Sequence, residues 1–280
     1  MLTAMHFMEA MLPLLYAATL AVYVRHFVVA DESDEGFGGS TMLAITLLLH
    51  ASYFAMRGAS FSAFPLASKA EFVSLLALSI ASVYAVIERG AKDAHTGAFF
   101  LGITTPFQIL ASVWMEDPDK QKMLLEHPSL QDPIYGVHVA ALVLAFASLT
   151  VGAVYALMYL TLSRQLKSRE LGLVFKRLPA LRTLEGMSKR ATLAGIALFG
   201  LGLILGHVVA AALGLHVNML DPKIVLMDLA WLAYVLGAIA VRVRGVSGRR
   251  AGQLAVGGFV SLMVIIAASN LALSSFHVFE

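Results

Sequence analysis

Four histidines lie within or at the ends of long apolar segments, where an imidazole is unusual. They are His50 in LLLHASYF, His138 in YGVHVAAL, His207 in LILGHVVAA and His277 in the C-terminal SSFHVFE. A neutral imidazole donates from one ring nitrogen and offers a lone pair at the other, so it can ligate a metal or form hydrogen bonds. The other five histidines, which fall in loops or at segment ends, are interpreted as solvated or interfacial residues: His6, His26, His95, His127 and His216.

The composition calls for a membrane. Hydrophobic residues make up 59% of the 280 residues and charged residues 14%, against roughly 45–50% and about 25% in soluble domains. A bilayer needs about 20 apolar residues per helix, and its core accepts only segments that satisfy their own backbone hydrogen bonds. The sequence therefore predicts an all-α integral membrane protein, a single polytopic domain over residues 1–280. Its eight predicted spans are 5–27, 40–58, 68–88, 96–114, 134–162, 191–215, 223–242 and 252–277.

The distribution of charge predicts the orientation. Most of the 20 Lys and Arg residues fall on one side of the eight spans, chiefly in a predicted loop over 163–190 and in 242–251. The positive-inside rule makes this side cytoplasmic and puts both termini on the outer side of a bacterial inner membrane. Residues 5–27 are predicted to be a retained span, because no basic region precedes them. The absence of cysteine excludes thiolate metal sites in the chain, and the formal charge of +2 does not indicate a nucleic-acid partner.

The four candidate histidines are predicted to lie at two levels in the outer half of the membrane. Helical rise places His50 and His207 roughly 12 Å below the outer boundary, and His138 about 6 Å below it. His277 lies at the boundary. Two imidazoles on facing helices within an apolar shell suit haem as axial ligands. Zinc and copper sites usually require three or four ligands at one level, and this sequence offers two. The alternative is that each histidine only hydrogen-bonds a neighbouring helix.

Several charged residues near the predicted outer ends could support such sites. Glu9, Glu71 and Asp228 could hydrogen-bond a histidine and tune it as a ligand, or they could simply reach the interface. Arg57 and Lys223 are among the few basic residues on this side. They could pair with haem propionates, or serve as ordinary interfacial anchors.

Several stretches, taken in order from about residue 45 onward, resemble the cytochrome c assembly membrane proteins, and within them the HemX-like branch beside the CcsA-like synthetase subunits. The resemblance rests on the order and spacing of the stretches together with the topology. The stretches are RGASFSAFPLASKAEFVSLLALSIASVYAVIER, YGVHVAALVLAFASLTVGAVYALMYL, FKRLPALRTLEGMSKRATLAGIALFGLGLILG, DPKIVLMDLAWLAYVLGAIAVRVRGVSGRRAGQLAVGGF and the terminal NLALSSFH.

The resemblance implies specific roles for the histidines. It implies that His138 and His277 are axial ligands of a haem near the outer surface. It also implies that His50 is a ligand at the level of the membrane interior. His207 would then be its partner in a second pair of ligands. The synthetase members carry a tryptophan-rich outer loop before the DPK element, whereas this chain has only LHVNML there. The chain is therefore not expected to synthesise cytochrome c by itself.

Three functions remain open from the sequence. The first is a protein of cytochrome c biogenesis or haem homeostasis that binds one or two b-type haems and passes haem to a membrane or periplasmic partner. The second is a transmembrane, quinol-linked electron-transfer subunit of the cytochrome b kind. The third is a regulatory membrane scaffold for haem biosynthesis that needs no haem and acts through the basic segment 163–190. A solute transporter is disfavoured, because no pair of interrupted helices recurs in symmetric halves.

Overall fold

The chain folds into long helices in a computed structural model, which describes residues 2–29, 38–61, 64–66, 68–114, 132–169, 172, 176–212 and 221–272. Over these residues it has no strand. The eight helices are α1 Leu2–Val29, α2 Gly39–Phe61, α3 Lys69–Ala91, α4 Gly97–Val113, α5 Pro133–Ser168, α6 Leu181–Ala212, α7 Pro222–Val243 and α8 Arg249–Ala272.

Seven of these helices are long and apolar enough to cross a bilayer, so the chain is a multi-pass membrane protein. The exception by length is α4, whose 17 residues extend about 25 Å against a bilayer core of ~30 Å. Each predicted span corresponds to one helix. The orientation of the termini stays a prediction, because hydropathy and helix lengths do not distinguish the two sides.

The prediction of a loop over 163–190 was wrong for most of these residues, which are helical. Helix α5 continues to Ser168 and α6 already begins at Leu181. The predicted ends followed the fall in hydropathy, but a helix continues wherever its backbone bonds form. Leu, Gln, Lys and Arg, which dominate these extensions, are good helix formers in water as well as in lipid. The two helices therefore extend past the apolar segments into a basic region.

Local chemistry fixes several helix ends. Ser68 and Glu71 form a reciprocal capping box at the start of α3, in which each side chain accepts a hydrogen bond from the other's backbone N–H. Asp221 accepts from the backbone N–H of Lys223 at 2.8 Å, and Pro222 occupies the first turn of α7.

The helices group into two compact units. Unit 1 comprises residues 1–136 and 176–179 and contains α1–α4; unit 2 comprises 137–175 and 180–280 and contains α5–α8. The prediction of one domain over residues 1–280 stays a prediction, because a compact group of contacts is not by itself an independently folding domain.

Unit 1 has a polar interior. Four tyrosines are almost fully buried, at positions 16, 23, 53 and 84, and Thr19 and Thr46 bond each other at 2.9 Å between α1 and α2. Hydroxyls at positions 16, 19 and 23 recur at helical spacing, which puts them on one face of α1. Polar contacts between helices therefore hold unit 1 together, as is common in membranes where lipid is as apolar as the side chains.

Unit 2 combines an apolar core with close backbone approach. Its core contains Leu149, Phe199 and Leu262. A Cβ added at Gly195 of α6 would lie 2.7 Å from Leu149 Cγ and 3.1 Å from the Leu149 backbone nitrogen of α5. The glycine is therefore what lets these two helices approach closely.

Replacing Gly195 by Ala should force α5 and α6 apart and destabilise the protein by about 1–3 kcal/mol, the usual cost of overpacking. The measurement is the thermal unfolding midpoint of the purified protein in detergent. Gly186→Ala is the matched control on the same helix, because its Cβ would meet nothing within 4 Å. Equal unfolding midpoints for the two variants would contradict this packing account.

Candidate functional site

His138 lies in the second turn of α5, and its ring is fixed by α6. Its Nδ1 lies 2.7 Å from the carbonyl oxygen of Gly202. Gly206, one turn further along α6, faces the same ring: a Cβ there would lie 2.6 Å from His138 Cε1. A carbonyl only accepts, so Nδ1 carries the proton and Nε2 carries the lone pair of the neutral ring. This is the arrangement by which proteins orient a histidine for metal ligation through Nε2.

His207 bonds a neighbouring carbonyl of the same helix. Its Nδ1 lies 2.7 Å from the carbonyl oxygen of Leu203, and its Nε2 lies 3.7 Å from Asp228 Oδ2 on α7. The imidazoles of His138 and His207 are electrostatic neighbours. Because they bond consecutive carbonyls of α6, the two rings lie at nearly the same height in unit 2. The depths predicted from helical rise differed by about 6 Å between these two residues. Helical rise gives the height of a Cα atom, whereas the imidazole ring is displaced along the helix from its own Cα.

His50 belongs to unit 1 and is fully buried. Its Nδ1 lies 3.0 Å from the Tyr16 hydroxyl, and its Nε2 lies 2.9 Å from Ser74 Oγ. Ser74 in turn bonds Gln108 Oε1 at 3.0 Å, so the network joins all four helices of unit 1. Both ring nitrogens are thus engaged, and metal ligation by His50 would require one of these hydrogen bonds to be released.

Arg57 is buried as well, with 2% of its side chain exposed. Its guanidinium donates to the Glu71 carboxylate and lies 3.5 Å from Glu9 Oε1. Tyr53 also donates to Glu9, at 2.8 Å. The predicted supporting acids Glu9 and Glu71 therefore compensate Arg57. Its predicted role as a propionate partner is untested, and it would have to share a charge that two carboxylates already neutralise.

The remaining predicted site residues are at or beyond the edges of the described chain. Lys223 lies in the first turn of α7, where it is partly buried. His277 lies outside the described residues. Within the part of the chain that the structure describes, no group of three or more histidine, aspartate or glutamate residues could hold a metal ion.

Two polar clusters were missed by sequence reasoning. Glu88 on α3 is buried and accepts hydrogen bonds from Tyr23, at 2.7 Å, and from Ser40. His26 and His95, interpreted from sequence as interfacial residues, have ring centroids 4.8 Å apart. The available signal was spacing, because Tyr23 and His26 continue the polar face of α1 that begins at Tyr16.

The fold and these sites define a multi-pass helical membrane protein with oriented histidines in its apolar segments. The family model described as "Cytochrome C assembly protein" matches residues 8–277, and the chain belongs to this family. The predicted resemblance is thereby confirmed.

Individual relatives agree with the family. The chain is 23% identical to the cytochrome c biogenesis protein CcsA of Crocosphaera subtropica, over 99% of this chain and 98% of that protein. It is 25% identical to the CcsA of Microcystis aeruginosa, over 85% of this chain and 86% of the relative. It is also 27% identical to protein HemX of Brevibacillus brevis, over 35% of this chain and 36% of the relative. No solved structure matches the chain.

Replacing Ser74 by Ala should destabilise the protein by about 1–3 kcal/mol, because it leaves His50 Nε2 and Gln108 Oε1 buried without their shared partner. Thermal unfolding in detergent measures the effect. Ser52→Ala on α2 is the control, since that exposed hydroxyl bonds only the Leu48 carbonyl of its own helix. If both variants unfold at the wild-type temperature, the His50 network does not stabilise unit 1.

Proposed function

We propose that this protein serves cytochrome c biogenesis by binding b-type haem near the outer side of the membrane, with His138 and His277 as the axial ligands. The observation that carries the proposal is the bond from His138 Nδ1 to the Gly202 carbonyl, which orients the ring and puts the proton on Nδ1. Membership of the cytochrome c assembly family supplies the biological context.

The residues of unit 2 suit haem in three respects. The Gly202 carbonyl fixes the tautomer of His138 and increases its basicity as a ligand. Gly206 leaves room for the ring, where any larger residue would displace it. The surrounding segments of α5 and α6 are apolar, as a porphyrin face requires.

The chain's own work is then to bind, orient and shield. Haem supplies iron and a flat apolar macrocycle. His138 of α5 is held by its bond to α6, and Asp228 provides a carboxylate 3.7 Å from His207 Nε2. Ligation by two histidines would leave iron no open position, which would suit holding and transferring haem more than catalysis on it.

The predicted second pair, His50 with His207, stays a prediction. The hydrogen bonds of His50 to Tyr16 and Ser74 favour a structural role for that residue. The proposal therefore assigns the first haem to His138 and His277 and makes the second pair an independent experimental question. The short LHVNML segment, which lacks tryptophan, supports a protein that works with a partner rather than a synthetase complete in one chain.

The test is the haem content of the purified protein, measured by the pyridine haemochrome assay and by a reduced-minus-oxidised spectrum. His138→Ala and His277→Ala should each lower haem content at least tenfold, because each removes an axial ligand. His95→Ala, in the His26 and Asp93 cluster, is the matched control and should retain wild-type haem. His50→Ala and His207→Ala then decide whether a second haem is held.

A protein that stays colourless after haem is supplied would contradict the proposal and favour the regulatory scaffold. Retention of haem by both His138→Ala and His277→Ala would reject this ligand pair but leave haem binding itself standing.

Gly206→Ala should perturb the site without removing a ligand. Its Cβ would lie 2.6 Å from His138 Cε1, so the ring must turn away from its bond with Gly202. The expected result is a shift of the haem absorption bands with haem content lowered several-fold, in line with the cost of losing an orienting group. Gly102→Ala in unit 1 is the control, because its Cβ would meet nothing within 4 Å. Wild-type spectra for both variants would show that this contact does not position the ligand.

A further inference from the structure

Unit 2 contains a cavity of about 560 Å³ at the opposite end from His138, bounded by α5, α6, α7 and α8. Its α7 and α8 walls are built largely from residues with no side chain or only a methyl group, including Ala233, Gly237, Ala238, Gly252, Ala255 and Gly258. Small residues at this density usually allow two membrane helices to approach each other. Here they leave an open slot between the helices.

One polar group in the wall is unexplained by the fold. The hydroxyl of Tyr234 on α7 is buried and has no hydrogen-bond partner among the described residues. Buried phenol hydroxyls nearly always have a partner, because leaving one without costs about 1–3 kcal/mol. A ligand that brings an acceptor oxygen into the slot would satisfy this hydroxyl.

Two cations line the same cavity. They are Lys189 on α6 and Arg242 in the last turn of α7. The acid among the lining residues, Glu185, already accepts a hydrogen bond from the backbone N–H of Gly248 at 2.9 Å. The lining thus has an excess of positive charge. The end of the cavity formed by Lys189 and Arg242 is its basic end.

The heights of these groups can be compared through one contact. Trp231 of α7 donates to the Ile196 carbonyl of α6 at 3.0 Å, which aligns the two helices. Tyr234 lies three residues from Trp231, and Lys189 lies seven residues from Ile196, both toward the basic end. Helical rise then puts Lys189 about 6 Å nearer the basic end than Tyr234. Arg242 lies about 12 Å from Tyr234 in the same direction.

We propose that this slot binds one molecule of an anionic phospholipid. Its phosphate lies between Lys189 and Arg242, and its glycerol backbone lies along the small residues between these cations and Tyr234. A glycerol ester carbonyl accepts from Tyr234, and an acyl chain continues past Ala230 and Leu262. The order of these groups matches a phospholipid, in which the ester carbonyls are only a few bonds from the phosphate. Basic pockets between membrane helices are typical sites for acidic lipid headgroups. A neutral quinone would leave the excess positive charge of the lining without a counter-charge.

The binding test uses the full-length protein in detergent, titrated with phosphatidylglycerol or phosphatidylcholine and observed by native mass spectrometry. Wild type should bind one phosphatidylglycerol at least tenfold more tightly than phosphatidylcholine. Gly237→Leu should abolish this binding, because its side chain enters the slot from a position whose Cβ meets nothing within 4 Å. Gly257→Leu on α8, equally open but outside the lining, should bind as wild type does.

Two further variants separate the charge from the hydroxyl. Lys189→Gln with Arg242→Gln should remove the preference for phosphatidylglycerol. Tyr234→Phe should remove a preference of about three- to tenfold for ester-linked over ether-linked phosphatidylglycerol, the size expected from one hydrogen bond.

Tight phosphatidylglycerol binding to Gly237→Leu would overturn the proposal, and so would a lipid preference that survives loss of both cations. A third contrary outcome is loss of haem, with lipid binding unchanged, in folded Gly237→Leu. That result would assign the slot to haem. The lipid measurement needs no haem, so its failure is distinguishable from failure of the proposed function.

Discussion

The structure depends on one constraint: inside a bilayer, every polar group must find its partner within the protein. Helices satisfy the backbone, but each buried side chain that donates or accepts must be matched individually. In unit 1 the buried charge of Arg57 satisfies this constraint by pairing with Glu71 and Glu9. The bond from His138 to the Gly202 carbonyl satisfies it for an imidazole and orients the ring.

The two units meet the constraint differently. Unit 1 buries hydroxyls, carboxylates and an imidazole together, so its polar groups satisfy one another across helices, as Tyr16, His50 and Ser74 do. Unit 2 packs α5 and α6 through small residues and apolar side chains, and its His138 and His207 bond helix carbonyls. Breaking a buried network leaves orphaned groups and is costly, which favours rigidity in unit 1. Two features of unit 2 suit ligand binding. One is the ring of His138, which the Gly202 carbonyl orients, and the other is the slot that contains the Tyr234 hydroxyl.

The eight helices of the described ranges could be predicted because hydropathy and the capping motif SKAE at Ser68 are local properties of the sequence. The hydrogen-bond partners of the buried side chains were harder to predict, because these bonds join residues that are far apart in the sequence. Tyr16 and His50 are separated by 34 residues, and His138 and Gly202 by 64. Hydropathy also ended α5 too early, since charged residues beyond a span can continue its helix. The candidate histidines were recognisable by type, whereas which nitrogen each one offers required the fold.

The central claim is that His138 is a haem ligand oriented by α6. Electron paramagnetic resonance of the oxidised, haem-loaded protein tests it most directly, because the spin state of ferric haem reports its axial ligands. Two nitrogen ligands predict a low-spin signal in wild type and a high-spin signal, or loss of haem, in His138→Ala. An unchanged low-spin signal in His138→Ala would contradict the account and exclude this residue as a ligand.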